Sequence, residues 1–264
     1  MPSELTSRTV QIAGVELDYL EAGAGPVLLF LHSGWGPKFK SLAYLTRLSQ
    51  RFRVIAPFHP GFGLRARPEH FHDVGDLAYL YLDWLEQMKL ENVLLIGASF
   101  GGWIASEIGV RCTHRLSGLV LSGPVGIKVG DRETRDYADF LAVDDQTRGA
   151  LEFADPEFQT TDFTFSSDED LLIAARGREA EAHYGWKPFM HNPQLKHWLH
   201  RINVPTLVLR GAEDHIVAKH NHAAYPGLMP NARLAVVAHA GHHVHIDNPG
   251  EFAEEILGSF QPTA

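Results

Sequence analysis

The chain has 264 residues, 45% of them hydrophobic and 21% charged, enough to bury the core of one α/β domain with room for a small insertion. A formal net charge of −9 argues against a nucleic-acid partner, which needs a basic surface, and reads instead as a solubility feature. The single cysteine, Cys112, allows no intrachain disulfide and is compatible with a reducing compartment.

In chain order, strands come first. Val10 to Ile12 and Val15 to Tyr19 flank Ala13-Gly14, which reads as a hairpin turn and suggests an antiparallel sheet edge. Val27 to Leu31 is a continuous apolar run, the pattern of a strand buried on both faces. Val54 to Ala56, Val93 to Ile96, Leu119 to Leu121, Thr206 to Leu209 and Leu234 to Val237 are further short apolar runs. Helical spacing appears between them, over Asp76 to Lys89, Trp103 to Val110 and Pro249 to Phe260, the last opening on the proline and acid of a helix start. Alternation of this kind predicts a mostly parallel, eight-stranded sheet flanked by helices. The start, Met1 to Val10, has no basic segment followed by an apolar run, and no apolar stretch reaches the ~18–20 residues of a membrane span. The expectation is a cytoplasmic protein with no membrane partner.

One stretch, 128–195, breaks the alternation. It is polar and acidic, with Asp144-Asp145, Asp155, Glu157, Asp162 and Ser166 to Asp170, and only Leu171 to Ala175 and Phe189-Met190 offer apolar faces. A disordered loop of that length is unusual in a compact domain, so the segment is expected to be a helical cap over a core formed by 1–127 and 196–264.

Gly97-Ala98-Ser99-Phe100-Gly101 has the form G-x-S-x-G, and it follows a buried strand and opens a helix. A serine at the tip of such a turn needs close backbone approach two residues before and after it, which glycine permits. The turn also aims a helix N-terminus, with free N–H groups and partial positive charge, at the hydroxyl. Ser99 is therefore the candidate nucleophile, and a serine hydroxyl requires a general base. Among 16 histidines, His242 in His239-Ala240-Gly241-His242-His243 lies just after the last strand, with His243 and His245 as rivals. A carboxylate is needed to orient the base, and Asp214, after the Thr206 strand, is favoured over Glu213. For a developing oxyanion, the N–H of Phe100 is one donor. The second comes from His32-Ser33-Gly34-Trp35-Gly36-Pro37, with Gly34 ahead of Trp35. Ser33 and Trp35 are the candidate substrate-binding residues.

Taken together, Leu31 to Gly34, Pro60-Gly61-Phe62-Gly63, Gly97 to Gly101, Gly211 to Asp214, and Gly241-His242 with Asp247-Asn248-Pro249 resemble the ordered motifs of the α/β-hydrolase superfamily, in its capped esterase-like and C–C-hydrolase-like branch. The chain order Ser, Asp, His is that superfamily's order. Two residues depart from its pattern: Ser33 stands where a glycine is usual, and His59 where an acid usually precedes P-G-F-G. A serine rather than an aspartate at 99 counts against dehalogenases and epoxide hydrolases. The resemblance implies a serine hydrolase of an ester, lactone or related acyl bond of a small molecule, with no cofactor. A C–C hydrolase of vinylogous dicarbonyls uses the same triad, and cap cations such as Arg176 and Arg178 could then meet a substrate carboxylate. A cofactor-free perhydrolase or haloperoxidase, and a non-enzymatic triad-bearing receptor, are the further alternatives. A zinc site from His215, His220 and His222, or from His239, His242, His243 and His245, lacks an H-E-x-x-H motif and is not expected. A homodimer is left open.

Overall fold

In the computed structural model, which describes residues 4–36, 38, 40–164 and 166–261, Ala13 and Gly14 both take positive φ, the geometry of a two-residue hairpin turn. Pro37, at the end of the Gly-rich loop, and the first three residues of the Met1 to Val10 stretch lie outside the described residues. The hairpin joins β1 (Thr6–Ile12) to β2 (Val15–Ala22). Then come β3 (Val27–Leu31), α1 (Ala43–Leu48), β4 (Arg53–Pro57), α2 (Val74–Gln87), β5 (Val93–Ala98), α3 (Phe100–Arg111) and β6 (Leu116–Ser122). Past these lie α4 (Asp145–Glu152), α5 (Asp168–Gly185) and α6 (Leu195–Trp198), then β7 (Thr206–Gly211), α7 (Lys219–Leu228), β8 (Ala232–Val237), α8 (Val244–Asp247) and α9 (Pro249–Ser259).

The strands form one eight-stranded sheet in the order β1-β2-β4-β3-β5-β6-β7-β8. Only β2 runs against its neighbours, so the hairpin forms the expected antiparallel edge. Within the central strands, side chains alternate between two apolar layers. Leu29, Leu31, Leu95 and Val208 pack with Leu77, Tyr81 and Ile104 on the α2–α3 face. Leu28, Phe30, Leu94 and Leu209 pack with Tyr44, Leu48, Phe252 and Ile256 on the other. Burial on both faces explains why these strands read as unbroken apolar runs. Strand order reverses between β4-β3 and β5-β6, and the crevice at the carboxyl ends of β3 and β5 is the switch point where open α/β sheets hold ligands.

Helix α2 begins earlier than its apolar spacing suggests. Asp73 caps it and exchanges bonds with Asp76 in a capping box, a signal carried by polar residues. Helices α1 and α7 are absent from the sequence-based set: α1 is short, and Pro226 lies inside α7.

Residues 128–195 add no strand to the sheet among the described residues; they carry α4 and α5, with α6 starting at Leu195. The apolar run Leu171-Leu172 does not face inward, for these two are 43% and 44% exposed. The buried face of α5 is Gly177, Ala180 and Gly185, small residues that let the helix approach closely, together with the aromatic Tyr184 and one charged side chain, Glu181.

Candidate active site

The turn from β5 into α3 holds Ser99 at φ +54° and ψ −112°, a strained conformation for a non-glycine residue, worth of order 1–3 kcal/mol. Two glycines make that turn possible. A Cβ on Gly97 would lie 2.2 Å from the Gly101 carbonyl oxygen, and one on Gly101 would lie 2.1 Å from the Leu31 carbonyl oxygen. The close approach inferred from G-x-S-x-G is therefore an approach of the turn to itself and to the end of β3. Ser99 is anchored from the other side by its N–H, which donates to the Ser122 carbonyl at 2.8 Å, at the end of β6.

Ser99, Asp214 and His242 meet at the carboxyl ends of β5, β7 and β8. Ser99 Oγ lies 2.7 Å from His242 Nε2, and His242 Nδ1 lies 3.1 Å from Asp214 Oδ2. Because the carboxylate only accepts, Nδ1 carries the ring proton and Nε2 is free to accept from the serine hydroxyl. The other oxygen of Asp214, Oδ1, accepts the N–H groups of Ile216 and Val217 at 2.9 and 3.0 Å. The acid and histidine loops are zipped together by Ala212 N–H to the Val237 carbonyl and Glu213 N–H to the Ala240 carbonyl. All three side chains are enclosed: Ser99, Asp214 and His242 are 6%, 5% and 3% exposed. Burial pushes the Asp214 carboxyl up, but the charge and hydrogen bond of His242, with His222 and the Val217 N–H, outweigh it and hold it at about 2. Burial pulls His242 down, while Asp214, Glu152 and Glu181 pull it up and prevail, so its pKa is raised.

The rival histidines do not reach Ser99. His243 Nε2 lies 3.9 Å from Glu152, and His245 packs among Phe30, Tyr44 and Phe252. Neither is there a cluster of three or more metal-ligating side chains among the described residues; His220 bonds Asp136 and His222 lies 3.7 Å from Asp214.

Gly34, beyond β3, and Phe100, beyond β5, carry N–H groups that meet no protein acceptor among the described residues. Ser33 turns its hydroxyl toward the Trp35 N–H at 3.5 Å, and its carbonyl accepts from Gly36 N–H. Trp35 is engaged with the helical segment: its indole N–H donates to Glu152 Oε2 at 2.8 Å. Behind the loop, the His59 N–H donates to His32 Nε2, and His59 Nε2–H returns a bond to the His32 carbonyl. His32 Nδ1–H then bonds the Ser33 carbonyl, and the Tyr81 hydroxyl donates to His59 Nδ1. Burial lowers both imidazoles, His59 to about 3, so both stay neutral and hold the loop as a fixed lattice of hydrogen bonds. The departure at His59 thus has a local explanation.

Several residues here escaped the sequence reading. Arg148, Glu152 and Glu181 form a buried charged cluster beside Gly34 and Trp35. Of these, only Arg148 and Glu152 carry a local signal, the i,i+4 spacing of a helical ion pair. Arg176 and Arg178, the cap cations singled out from sequence, are engaged nearer the surface, with the Leu64 carbonyl and Asp145. Asp247 accepts the N–H groups of Gly241, Ala154 and Asp155 and so ties the histidine loop to the chain leaving α4. A groove of about 380 Å³ runs along α5 past Phe58, Leu64 and Ile173 to Trp35, Phe62 and Gly177. A Cβ on Gly177 would lie 3.6 Å from the Gly34 carbonyl, so the groove ends against the same loop. Two other hollows, about 420 and 370 Å³, share Glu107 and Arg111; neither they nor the groove along α5 is lined by Ser99 itself.

The model of the alpha/beta hydrolase family matches residues 28–255. The 2-hydroxy-6-oxo-6-(2'-aminophenyl)hexa-2,4-dienoic acid hydrolase of Metapseudomonas resinovorans is 26% identical, over 97% of this chain and 91% of that protein. The structure of the 2-hydroxy-6-oxo-6-phenylhexa-2,4-dienoate hydrolase from Rhodococcus sp. strain RHA1 superposes with a TM-score of 0.78, at 19% identity and 98% and 99% coverage of the two chains. That of an esterase from Rhodococcus sp. ECU1013 superposes with a TM-score of 0.75, at 19% identity and 98% coverage of each. The two structural matches share the fold.

Proposed function

The chain belongs to the alpha/beta hydrolase family, and from that premise we propose that it is a serine hydrolase cleaving an ester, lactone or related acyl bond of a small molecule. The observation that carries the reading is the continuous hydrogen-bonded line from Ser99 Oγ through both nitrogens of His242 to Asp214. In the first step His242 Nε2 takes the hydroxyl proton as Ser99 Oγ attacks the substrate carbonyl carbon. Asp214 holds the ring in the required tautomer and stabilises the imidazolium. The carbonyl oxygen becomes an oxyanion, and the unpaired N–H groups of Gly34 and Phe100 are the donors suited to it. Collapse breaks the bond to the leaving group, which takes its proton from His242. Water then loses a proton to His242 as it attacks the acyl-enzyme; collapse releases the acid, and Ser99 Oγ takes that proton back from His242. We read α4 and α5 as the cap over this site, with the groove beside Gly34 as the substrate path.

A second reading, hydrolysis of a C–C bond in a dicarbonyl compound, draws on relatives such as the dienoic acid hydrolase, and uses the same three side chains. Labelling with a fluorophosphonate and mapping the adduct by mass tests the nucleophile; the expected site is Ser99. A panel of neutral esters, lactones and a vinylogous dicarbonyl then separates the two readings by kcat/KM. Activity retained in Ser99→Ala would sink both.

A further inference from the structure

The wall facing the Gly34 loop is charged, and its charges do not balance in pairs. Arg148 on α4 donates from Nε to Glu152 Oε1, one turn later, at 2.9 Å. Its terminal nitrogen donates to Glu181 Oε2 on α5, also at 2.9 Å. The three side chains are 3–4% exposed. The guanidinium lies 4.3 Å from the centre of the Trp35 ring, and the second oxygen of Glu152 takes the Trp35 indole N–H. The second oxygen of Glu181 accepts from no described donor. It rests against Gly34, where a Cβ would come within 1.8 Å of it. The loop residue that offers an N–H for the oxyanion is thus a glycine with a carboxylate oxygen against its α-carbon.

Among the described residues, His242 feels the charge of Glu181, but no second cation bonds it. Lys40 bonds the Thr160 carbonyl and acts on Glu152, Arg178 is paired with Asp145, and His243 lies 3.9 Å from Glu152. One guanidinium therefore bonds two buried carboxylates, and the oxygen left over is an acceptor against the Gly34 loop. A substrate carboxylate brought here would add a third negative charge to an enclosed site, where like-charge contact costs several kcal/mol. A cation, or an N–H or O–H donor, would instead complete the set.

Resting on the serine-hydrolase reading above, we propose that Glu181 sets the substrate's charge: the site rejects acyl substrates bearing a carboxylate near the scissile carbonyl and prefers neutral or cationic ones. The site would then differ in substrate charge from relatives whose names specify dienoic acids.

Three ethyl esters of matched length test this: ethyl butyrate, monoethyl succinate and ethyl γ-trimethylammoniobutyrate, compared by kcat/KM. The expected wild-type order puts the cation at or above the neutral ester and the succinate at least roughly a hundredfold below it. Glu181→Gln should shrink the cation-to-anion ratio by about tenfold or more, whereas Glu181→Asp, which keeps the charge, should preserve the preference. The ratio is the readout, so a change in overall activity in either variant leaves the comparison intact, and the wild-type order stands as a test should a variant misfold. Monoethyl succinate cleaved as well as ethyl butyrate, or an unmoved ratio in Glu181→Gln, would overturn the assignment of Glu181. A Ser99 that does not react with a fluorophosphonate would overturn the hydrolase reading itself, and this inference with it.

Discussion

The two walls of the site are held by different physics. On the sheet side, Ser99, Asp214 and His242 each sit one to five residues past the end of β5, β7 or β8, and the strand ladders that carry them are fixed by backbone hydrogen bonds. On the helix side, Arg148, Glu152 and Glu181 are fixed mainly by one another and by Trp35. A backbone-positioned side chain can be deleted with little effect on its neighbours' positions. A mutually paired charge cannot, because its removal leaves a buried partner without compensation. The first wall is thus built for a chemistry that is sensitive to each group, and the second for a shape and charge that fail together.

The largest effects should come from the sheet side. Ser99→Ala and His242→Ala are each expected to lower kcat by about 10⁴-fold or more, with the double variant little worse than either, since the two groups act as a unit. Ester turnover measures the loss, and an unchanged thermal midpoint shows that it is chemical. Asp214→Asn should follow at roughly 10³–10⁴-fold, because the amide favours the wrong histidine tautomer. Activity surviving in either single alanine variant would break the first half of the comparison. Arg148→Met comes next and acts on stability. It strands Glu152 and Glu181, at a cost of about 3–5 kcal/mol in urea or thermal unfolding. Adding Glu152→Gln and Glu181→Gln to Arg148→Met should restore most of that loss, because neutral amides in the same places need no guanidinium. A loss under about 1 kcal/mol for Arg148→Met would mean that the cluster behaves like an exposed ion pair.

This division also explains what the sequence disclosed. The strands, the elbow and the Ser, Asp, His order are legible because each depends on a short stretch: an apolar run, a glycine pair around a serine, an acid or histidine just past a strand. Ser99 meets partners far along the chain, but strand order delivers them without any long-range code in the side chains. Glu181 is the opposite case. It lies on a helix whose apolar residues Leu171 and Leu172 face outward, and its partner Arg148 is 33 residues away. Trp35 and Glu152, 117 residues apart, likewise share no local pattern. Arg176 and Arg178 look like the better cations from sequence because nothing there distinguishes a buried arginine from a paired surface one. The neutral His32–His59 lattice was legible only as a departure at His59, since its role depends on a contact between two loops.

The smallest expected effect is the one that asks whether the two walls act on each other. In the proposed mechanism His242 must be neutral to take the Ser99 proton, so activity should fall as pH drops through its pKa. Asp214, Glu152 and Glu181 together overcome burial and raise that pKa above the ordinary value of 6.5. The acid limb of kcat/KM for a neutral ester should therefore lie above 6.5 in the wild type. Glu181→Gln removes one of the three carboxylates that favour the imidazolium, so the limb should move to lower pH, while Asp214, in direct contact, keeps most of the upward pull. Glu181→Asp should leave the limb near its wild-type position. The shift is separable from any change in maximal rate, because a purely structural disturbance lowers the plateau without moving the inflection. An inflection that stays in place in Glu181→Gln would mean that the field of the α4–α5 wall does not reach the base, leaving substrate charge as its sole electrostatic target.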